Sequence, residues 1–259
     1  MVINKALCVN CRKCVPYCPV GAIKVQDKIV QIDYDECVEC GVCYRSADCP
    51  KHAIEMNELD EIRMNRKIMS DPSAISAKTR IGGRGTVEMK TNDITGRFRL
   101  GYAGVGVEMG RPGVGTLLRD VELVAMALTK IGVKWEEDNP ITALMEDPST
   151  GKFRDELLNE RVLSGILEFT LKSEQLPLVL ETLKSVEAKI DTVFSLGVIS
   201  KLGENLEDPN LDTLLRLGYT PYPNMKVNIG LGNPLSTSAG RTPPPCRAAD
   251  SPSPAEYYN

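Results

Sequence analysis

The spacing of apolar positions changes period several times along this chain of 259 residues. Tyr102-Ala103-Gly104-Val105-Gly106-Val107 is a nearly continuous apolar run followed by the turn Gly110-Arg111-Pro112-Gly113, a pattern that predicts a strand. Within residues 115–132, Leu117, Leu118, Val121, Val124, Ala125, Leu128 and Ile131 recur at helical steps, and Gly132 supplies a stop. Val133-Lys134-Trp135 and Ile141–Met145 read as further strands before the turn Asp147-Pro148-Ser149-Thr150-Gly151. The order then returns. Val162–Leu171 predicts a strand, residues 174–189 a helix with Leu176, Val179, Leu180, Leu183 and Val186 on one side, and Asp191–Ile199 another strand. Two strand-helix-strand units, 101–146 and 161–199, imply one sheet covered on one face by two helices. Strands joined through a helix are expected to be parallel, with a right-handed crossover.

The pattern is sparser on either side. Ile29, Val30 and Ile32 suit a short strand. Residues 57–85 read as a connector containing a short helix, Glu58–Met69, whose apolar positions are Leu59, Ile62, Met64 and Ile68. The basic side chains Arg63, Arg66, Lys67, Lys78, Arg80 and Arg84 are expected to form a solvated face, with docking of an acidic redox partner or a phosphate as the alternative. Ile81-Gly82-Gly83-Arg84-Gly85 lacks Gly-Lys-Ser/Thr and a preceding strand, so it is not a nucleotide loop. The α/β unit is assigned to 86–202, with a first strand at Thr86–Lys90. Residues 203–235 read as a peripheral helix, Leu211–Leu217, and an extended segment. Residues 236–259, with Pro243-Pro244-Pro245, are expected to be disordered.

Charge narrows the partners. The chain has 31 basic and 35 acidic side chains, a net charge of −4, which argues against nucleic acid. No apolar stretch approaches the roughly eighteen residues of a membrane helix. Met1-Val2-Ile3-Asn4-Lys5 does not read as a secretion signal, so a reducing cytoplasm is expected.

Eight of the nine cysteines lie in the first fifty residues, in two runs. One is Cys8-x-x-Cys11-x-x-Cys14-x-x-x-Cys18-Pro19; the other is Cys37-x-x-Cys40-x-x-Cys43 followed, after five residues, by Cys49-Pro50. Three cysteines at steps of three and a fourth before proline is the ligand spacing of a [4Fe–4S] cluster, and it occurs twice. Paired Cys-x-x-Cys elements also serve zinc, but usually as two plus two, which fits these runs less well. Disulfides fit a reducing compartment poorly. The ninth cysteine, Cys246, stands in the tail with nothing nearby to lower its pKa and reads as incidental.

Residues 1–56 resemble a bacterial-type two-[4Fe–4S] ferredoxin, including the internal repeat of Cys18-Pro19-Val20-Gly21-Ala22-Ile23 as Cys49-Pro50-Lys51-His52-Ala53-Ile54. The resemblance implies two clusters with crossed ligands. Cys8, Cys11, Cys14 and Cys49 would hold one; Cys37, Cys40, Cys43 and Cys18 would hold the other. His52, the only histidine, then reads as a replacement for Gly21. The long spacer Tyr44–Asp48 is expected to reshape the loop near the cluster of Cys8, Cys11 and Cys14, making the two sites unequal. Val107–Leu118 resembles the first strand, turn and helix of ACT-type domains. That resemblance implies an α+β chain: the ferredoxin domain, then a ferredoxin-like, ACT-like βαβ-repeat sandwich, with Gly110–Gly115 able to bind a small carboxylate at the helix start.

No pairing of nucleophile and base appears, nor a flavin or nicotinamide fingerprint, so no catalysis is expected. The leading reading is an electron-transfer protein in which the α/β domain docks an anaerobic oxidoreductase. A redox- and amino-acid-responsive regulator is the alternative. An accessory subunit of a sulfur-incorporating enzyme is a third, weakened because that family places the α/β part first.

Overall fold

The computed structural model describes residues 1–80, 82 and 96–222. The strand expected at Thr86–Lys90, the segment 223–235, the tail 236–259 and Cys246 lie outside the described residues.

Strands β1 (Val2–Ile3), β2 (Ile23–Gln26) and β3 (Ile29–Ile32), helix α1 (Val42–Ser46) and strand β4 (Ile54–Glu55) build the first unit. β1 pairs antiparallel with β4, so the start and end of the cysteine-rich segment are laced together. β2 and β3 form a hairpin whose turn residues Asp27 and Lys28 both have positive φ, the geometry that matches the twist of a two-residue hairpin. The spacer between Cys43 and Cys49 becomes most of α1 and runs into buried Ala47. The core of this unit is small: Met1, Ala22, Ile23, Val30 and Ile54, with Cys37 and Cys43 among them.

The connector helix α2 (Glu61–Ile68) begins where Asp60 accepts a hydrogen bond from the Arg63 N–H at 2.7 Å, an N-cap that satisfies one orphan donor. The expected solvated basic face is corrected at two positions: Lys78 and Arg80 are exposed and Arg84 lies outside the described residues, but Arg63 and Arg66 turn inward. Arg66 is only 6% exposed and is paired with Glu160; Arg63 is paired with Glu39, which is fully buried. Those arginines turn inward because the buried Glu39, the half-buried Glu160 and the carbonyls of the second cysteine loop stand opposite them.

The larger unit comprises β5 (Tyr102–Met109), β6 (Thr116–Leu117), α3 (Leu118–Lys130), β7 (Met145–Asp147), β8 (Lys152–Phe153), β9 (Arg161–Val162), β10 (Gly165–Lys172), α4 (Leu176–Glu187), β11 (Phe194–Ser200) and α5 (Leu211–Arg216). β5 is central and antiparallel to both β10 and β11. Val107 sits opposite Leu167 and Leu196, and Val105 opposite Phe169 and Val198. Alternation puts Ala103, Val105, Val107 and Met109 on one face, all fully buried. The same core takes Val121, Val124 and Leu128 from α3 and Leu180 and Leu183 from α4. Each large apolar side chain there contributes about 1.5–3 kcal/mol by leaving water. Gly104 points to the other face, where a Cβ would lie 2.2 Å from the Phe98 ring, so glycine makes room for that aromatic cover.

The expected parallel strands need one correction. β10 and β11, joined through α4, do run in the same direction, but β5 lies between them and every neighbouring pair is antiparallel. Val133-Lys134-Trp135 contributes only a single antiparallel bridge, Trp135 to Phe169, with the two rings edge-on at 5.6 Å. Ile141–Met145 is not a strand. Asn139 accepts from the Ile141 N–H at 2.7 Å and starts a 3₁₀ turn over Thr142–Leu144; the extended chain resumes at Met145.

The units meet around the connector. Arg161 pairs with Glu36, the Leu163 N–H donates to Ser70 Oγ at 2.9 Å, and Lys78 Nζ donates to the Ala143 carbonyl at 3.3 Å. Among the described residues, no helix is long and apolar enough to cross a membrane.

Candidate metal centre

The eight cysteines collect into two groups of four. Cys18, Cys37, Cys40 and Cys43 line one cavity, together with Ala22, Ile23 and Ile32. Cys8, Cys11, Cys14 and Cys49 line the other, with Ile3, Val30 and Ile54. The fourth cysteine of each run thus faces the other run's triplet.

Local backbone geometry produces this arrangement twice. Asn10 and Arg12 in the first loop have positive φ, as do Glu39 and Gly41 at the matching positions of the second. Left-handed residues wrap a loop tightly and turn N–H groups toward its concave side. After each Cys-Pro, the chain makes the same turn. The Gly21 N–H donates to the Cys18 carbonyl and the His52 N–H to that of Cys49, with φ of 67° and 47°. The Ala22 N–H then donates to Cys18 Sγ at 3.1 Å, and the Ala53 N–H to Cys49 Sγ at 3.4 Å. His52 is exposed and takes the place of Gly21 in this turn.

Burial sets the thiol chemistry. It raises the pKa of Cys37 and Cys40, against the lowering effect of the Glu39 and Val42 N–H groups. Cys43 is pushed up to about 12, by burial first and then by its neighbours Cys40, Cys37 and Cys18. Burial also raises Cys14. At Cys49 burial is outweighed by N–H groups of Ala53, Lys51, Ile54 and His52, so its pKa is lowered. Crowded, buried thiols of this kind give up their protons when a metal core supplies the compensating charge. Soft sulfur donors, apolar walls and inward N–H groups fit a [4Fe–4S] core in both cavities. The sulfurs ring a cavity; among the described residues, no three His, Cys, Asp or Glu side chains converge on a single-ion site.

The two groups differ in cover. Cys37, Cys40 and Cys43 are 9%, 7% and 9% exposed, whereas Cys11 is exposed. Three arginines brace the second loop from outside. Arg66 Nη1 donates to the carbonyls of Tyr34, Asp35 and Cys37 at 3.0, 2.9 and 3.0 Å. Arg45 donates to the Cys40 carbonyl at 2.7 Å and to Asp71 at 3.1 Å. Arg63 donates to the Tyr34 carbonyl at 3.1 Å and pairs with Glu39. Spacing and composition did not reveal this brace. The available signal was Glu39, a charged side chain inside a cysteine run, with Arg63 and Arg66 one helical turn apart downstream.

The Gly110–Gly115 turn lies elsewhere and is internally committed. The Val114 and Gly115 N–H groups donate to the Gly110 carbonyl, and those of Leu118 and Arg119 to the carbonyls of Glu160 and Leu158. A Cβ on Gly115 would stand 3.3 Å from Val20 Cγ1, so this turn backs onto the loop that carries Cys18.

Comparison with known proteins places the cysteine-rich segment. Residues 7–53 match the 4Fe-4S dicluster domain family. Pyruvate synthase subunit PorD of Methanothermobacter marburgensis is 43% identical over 54 residues, which is 21% of this chain and 60% of PorD. A subunit of the ion-translocating oxidoreductase complex of Methanosarcina acetivorans is 45% identical over 49 residues, 19% of this chain and 18% of that protein. Ferredoxin YfhL of Escherichia coli is 43% identical over 44 residues, 17% of this chain and 51% of YfhL. The chain therefore spans less than two thirds of each of these relatives. No solved structure matches it. The segment 7–53 is a ferredoxin-type 4Fe-4S dicluster domain, the part of this chain that carries two [4Fe–4S] clusters.

Proposed function

We propose that the chain is a carrier of single electrons rather than a catalyst, a dicluster ferredoxin fused to an α/β unit of the ferredoxin-like, ACT-like class. The observation that carries this reading is the collection of eight cysteines into two groups of four, each around an apolar-walled cavity. Cys8, Cys11, Cys14 and Cys49 hold one cluster; Cys18, Cys37, Cys40 and Cys43 hold the other. When bound, each cluster supplies one-electron chemistry, its core cycling between charges of about +2 and +1. The protein's residues do the rest. Ala22, Ile23, Val30 and Ile54 exclude water, and the Ala22 and Ala53 N–H groups donate to sulfurs whose negative charge grows on reduction. The order of strands around β5, with the Trp135 bridge beyond β10, supports the α/β assignment.

The partner in this reading is an anaerobic oxidoreductase, in keeping with relatives named as subunits of pyruvate synthase and of an ion-translocating oxidoreductase complex. Reduced thiols suit the cytoplasm. Anaerobic reconstitution with iron and sulfide is expected to give about eight irons per chain. Crossed ligation makes Cys11→Ala/Cys49→Ala strike one site twice and leave about four irons, while Cys11→Ala/Cys18→Ala strikes both sites and leaves about none. The reverse pattern refutes the crossing, and a chain that binds only zinc refutes the carrier.

A further inference from the structure

The two cysteine groups face different surroundings. The second is enclosed by the arginine brace, by Arg161 on Glu36, and by Gly115 behind Val20. The first is open at Cys11, where Leu7 and Val9 are 44% and 56% exposed. The charged side chains that line the first group's cavity, Arg12, Lys13 and Lys51, are all cations. Residues 5–14 bear Lys5, Arg12 and Lys13 and no carboxylate; on 48–53, Lys51 is balanced only by Asp48. All four cations are exposed, and among the described residues none has an ion pair. The chain as a whole carries −4, so this face opposes the sign of the rest.

We propose that this face is the electron port and that it docks a redox protein whose own docking face is ringed with carboxylates. The proposal rests on the carrier reading above and goes beyond it, because it assigns docking to the first cysteine group and gives the α/β unit the task of enclosing the second. Leu7 and Val9 supply an apolar centre that sheds water on contact, and the cations around them steer and orient an acidic partner. One electron leaves the protein and reduces the acceptor by one unit, with no bond made or broken and no proton transferred.

The test uses holoprotein with its iron content measured, reduced anaerobically and freed of excess reductant. Stopped-flow mixing follows its oxidation by ferric EDTA, an anion that becomes ferrous EDTA, and by hexaammineruthenium(III), a cation that becomes the ruthenium(II) complex. At an ionic strength of about 10 mM, Arg12→Glu/Lys13→Glu is expected to slow the anionic acceptor about fivefold and to speed the cationic one by a similar factor. Both effects shrink to less than about twofold near 0.5 M salt. Lys189→Glu, on the far unit, leaves the ratio of the two rates near that of the unaltered protein. A second readout needs no turnover: the net-acidic protein is retained at low salt on immobilised poly-L-glutamate, and the double variant is not. Unaltered rates with both acceptors, or no retention of the unaltered protein, overturn the port while leaving the iron content and the carrier intact. Protein that takes up no iron defeats the carrier itself, and the port with it.

Discussion

Replacing Arg66 by alanine tests how the connector holds the second cysteine group. Arg66 is 6% exposed, and its Nη1 donates to three carbonyls of the Tyr34–Cys37 loop while its Nε pairs with Glu160. The losses are unequal. The Tyr34 carbonyl keeps a bond from Arg63, and the Asp35 carbonyl is only partly buried. The Cys37 carbonyl loses a buried charged donor, at about 1–3 kcal/mol. Glu160, 15% exposed, loses its cation, so the whole change costs about 3 kcal/mol. Lysine keeps the charge but not the planar fork, and retains about half of this. The assay is bleaching of the visible cluster absorption under an iron chelator, anaerobically. If the cost falls on opening of the second loop, about 3 kcal/mol speeds cluster loss roughly a hundredfold, and Arg66→Lys about tenfold. Arg66 holds the loop of Cys37, Cys40 and Cys43 and not that of Cys8, Cys11 and Cys14, so only about half the absorbance should bleach fast. Bleaching within about twofold of the unaltered rate, or equal acceleration of both halves, refutes the reasoning.

Four further outcomes are expected. Gly115→Ala, at φ 78° and with a Cβ 3.2 Å from the Val162 carbonyl, should cost about 1–2 kcal/mol in chemical denaturation. Gly104→Ala should cost about 1–3 kcal/mol, because the Phe98 ring must move, and Phe98→Leu in the same chain should recover part of it. Leu180→Ala on α4 empties a fully buried site and should cost about 2–5 kcal/mol. At Asp71 burial raises the pKa, but the Ser73 hydroxyl and N–H and Arg45 outweigh it and hold the carboxyl below the usual range. A depressed native pKa stabilises above the unfolded value and loses that contribution as pH falls through the native one. Asp71→Asn should therefore cost about 1 kcal/mol at neutral pH, with the gap closing below about pH 4.

The cysteine runs, the hairpin strand at Ile29–Ile32 and the two long helices were legible because each depends on local spacing. Leu118–Lys130 and Leu176–Glu187 bury the side chains that the helical steps picked out. Non-local pairing was not legible. The pattern predicted two strand-helix-strand units but could not show that β5 separates β10 from β11, since register between distant strands leaves no mark on either. Ile141–Met145 misled because Asn139, two residues upstream, captures the Ile141 N–H and starts a turn. The arginine brace was hidden for a similar reason. Arg66 is an ordinary helix residue until Glu160 and the Cys37 carbonyl are brought to it from far away in the chain.

The contact from Arg66 to Glu160 spans 94 residues. At about 5–20 residues per second, a ribosome needs about 5–20 seconds to supply the second partner after the first has been made. During that interval all eight cysteines already exist, but Arg66, which holds the loop of Cys37, Cys40 and Cys43, lacks its partner Glu160. A nascent chain stalled before residue 160 should therefore retain iron at the first group more firmly than at the second, measured by chelator challenge of the stalled complex; equal retention would sink the idea. On this reading the connector carries an order of assembly, in which the exposed site is expected to be finished first and the enclosed one to wait for the rest of the protein.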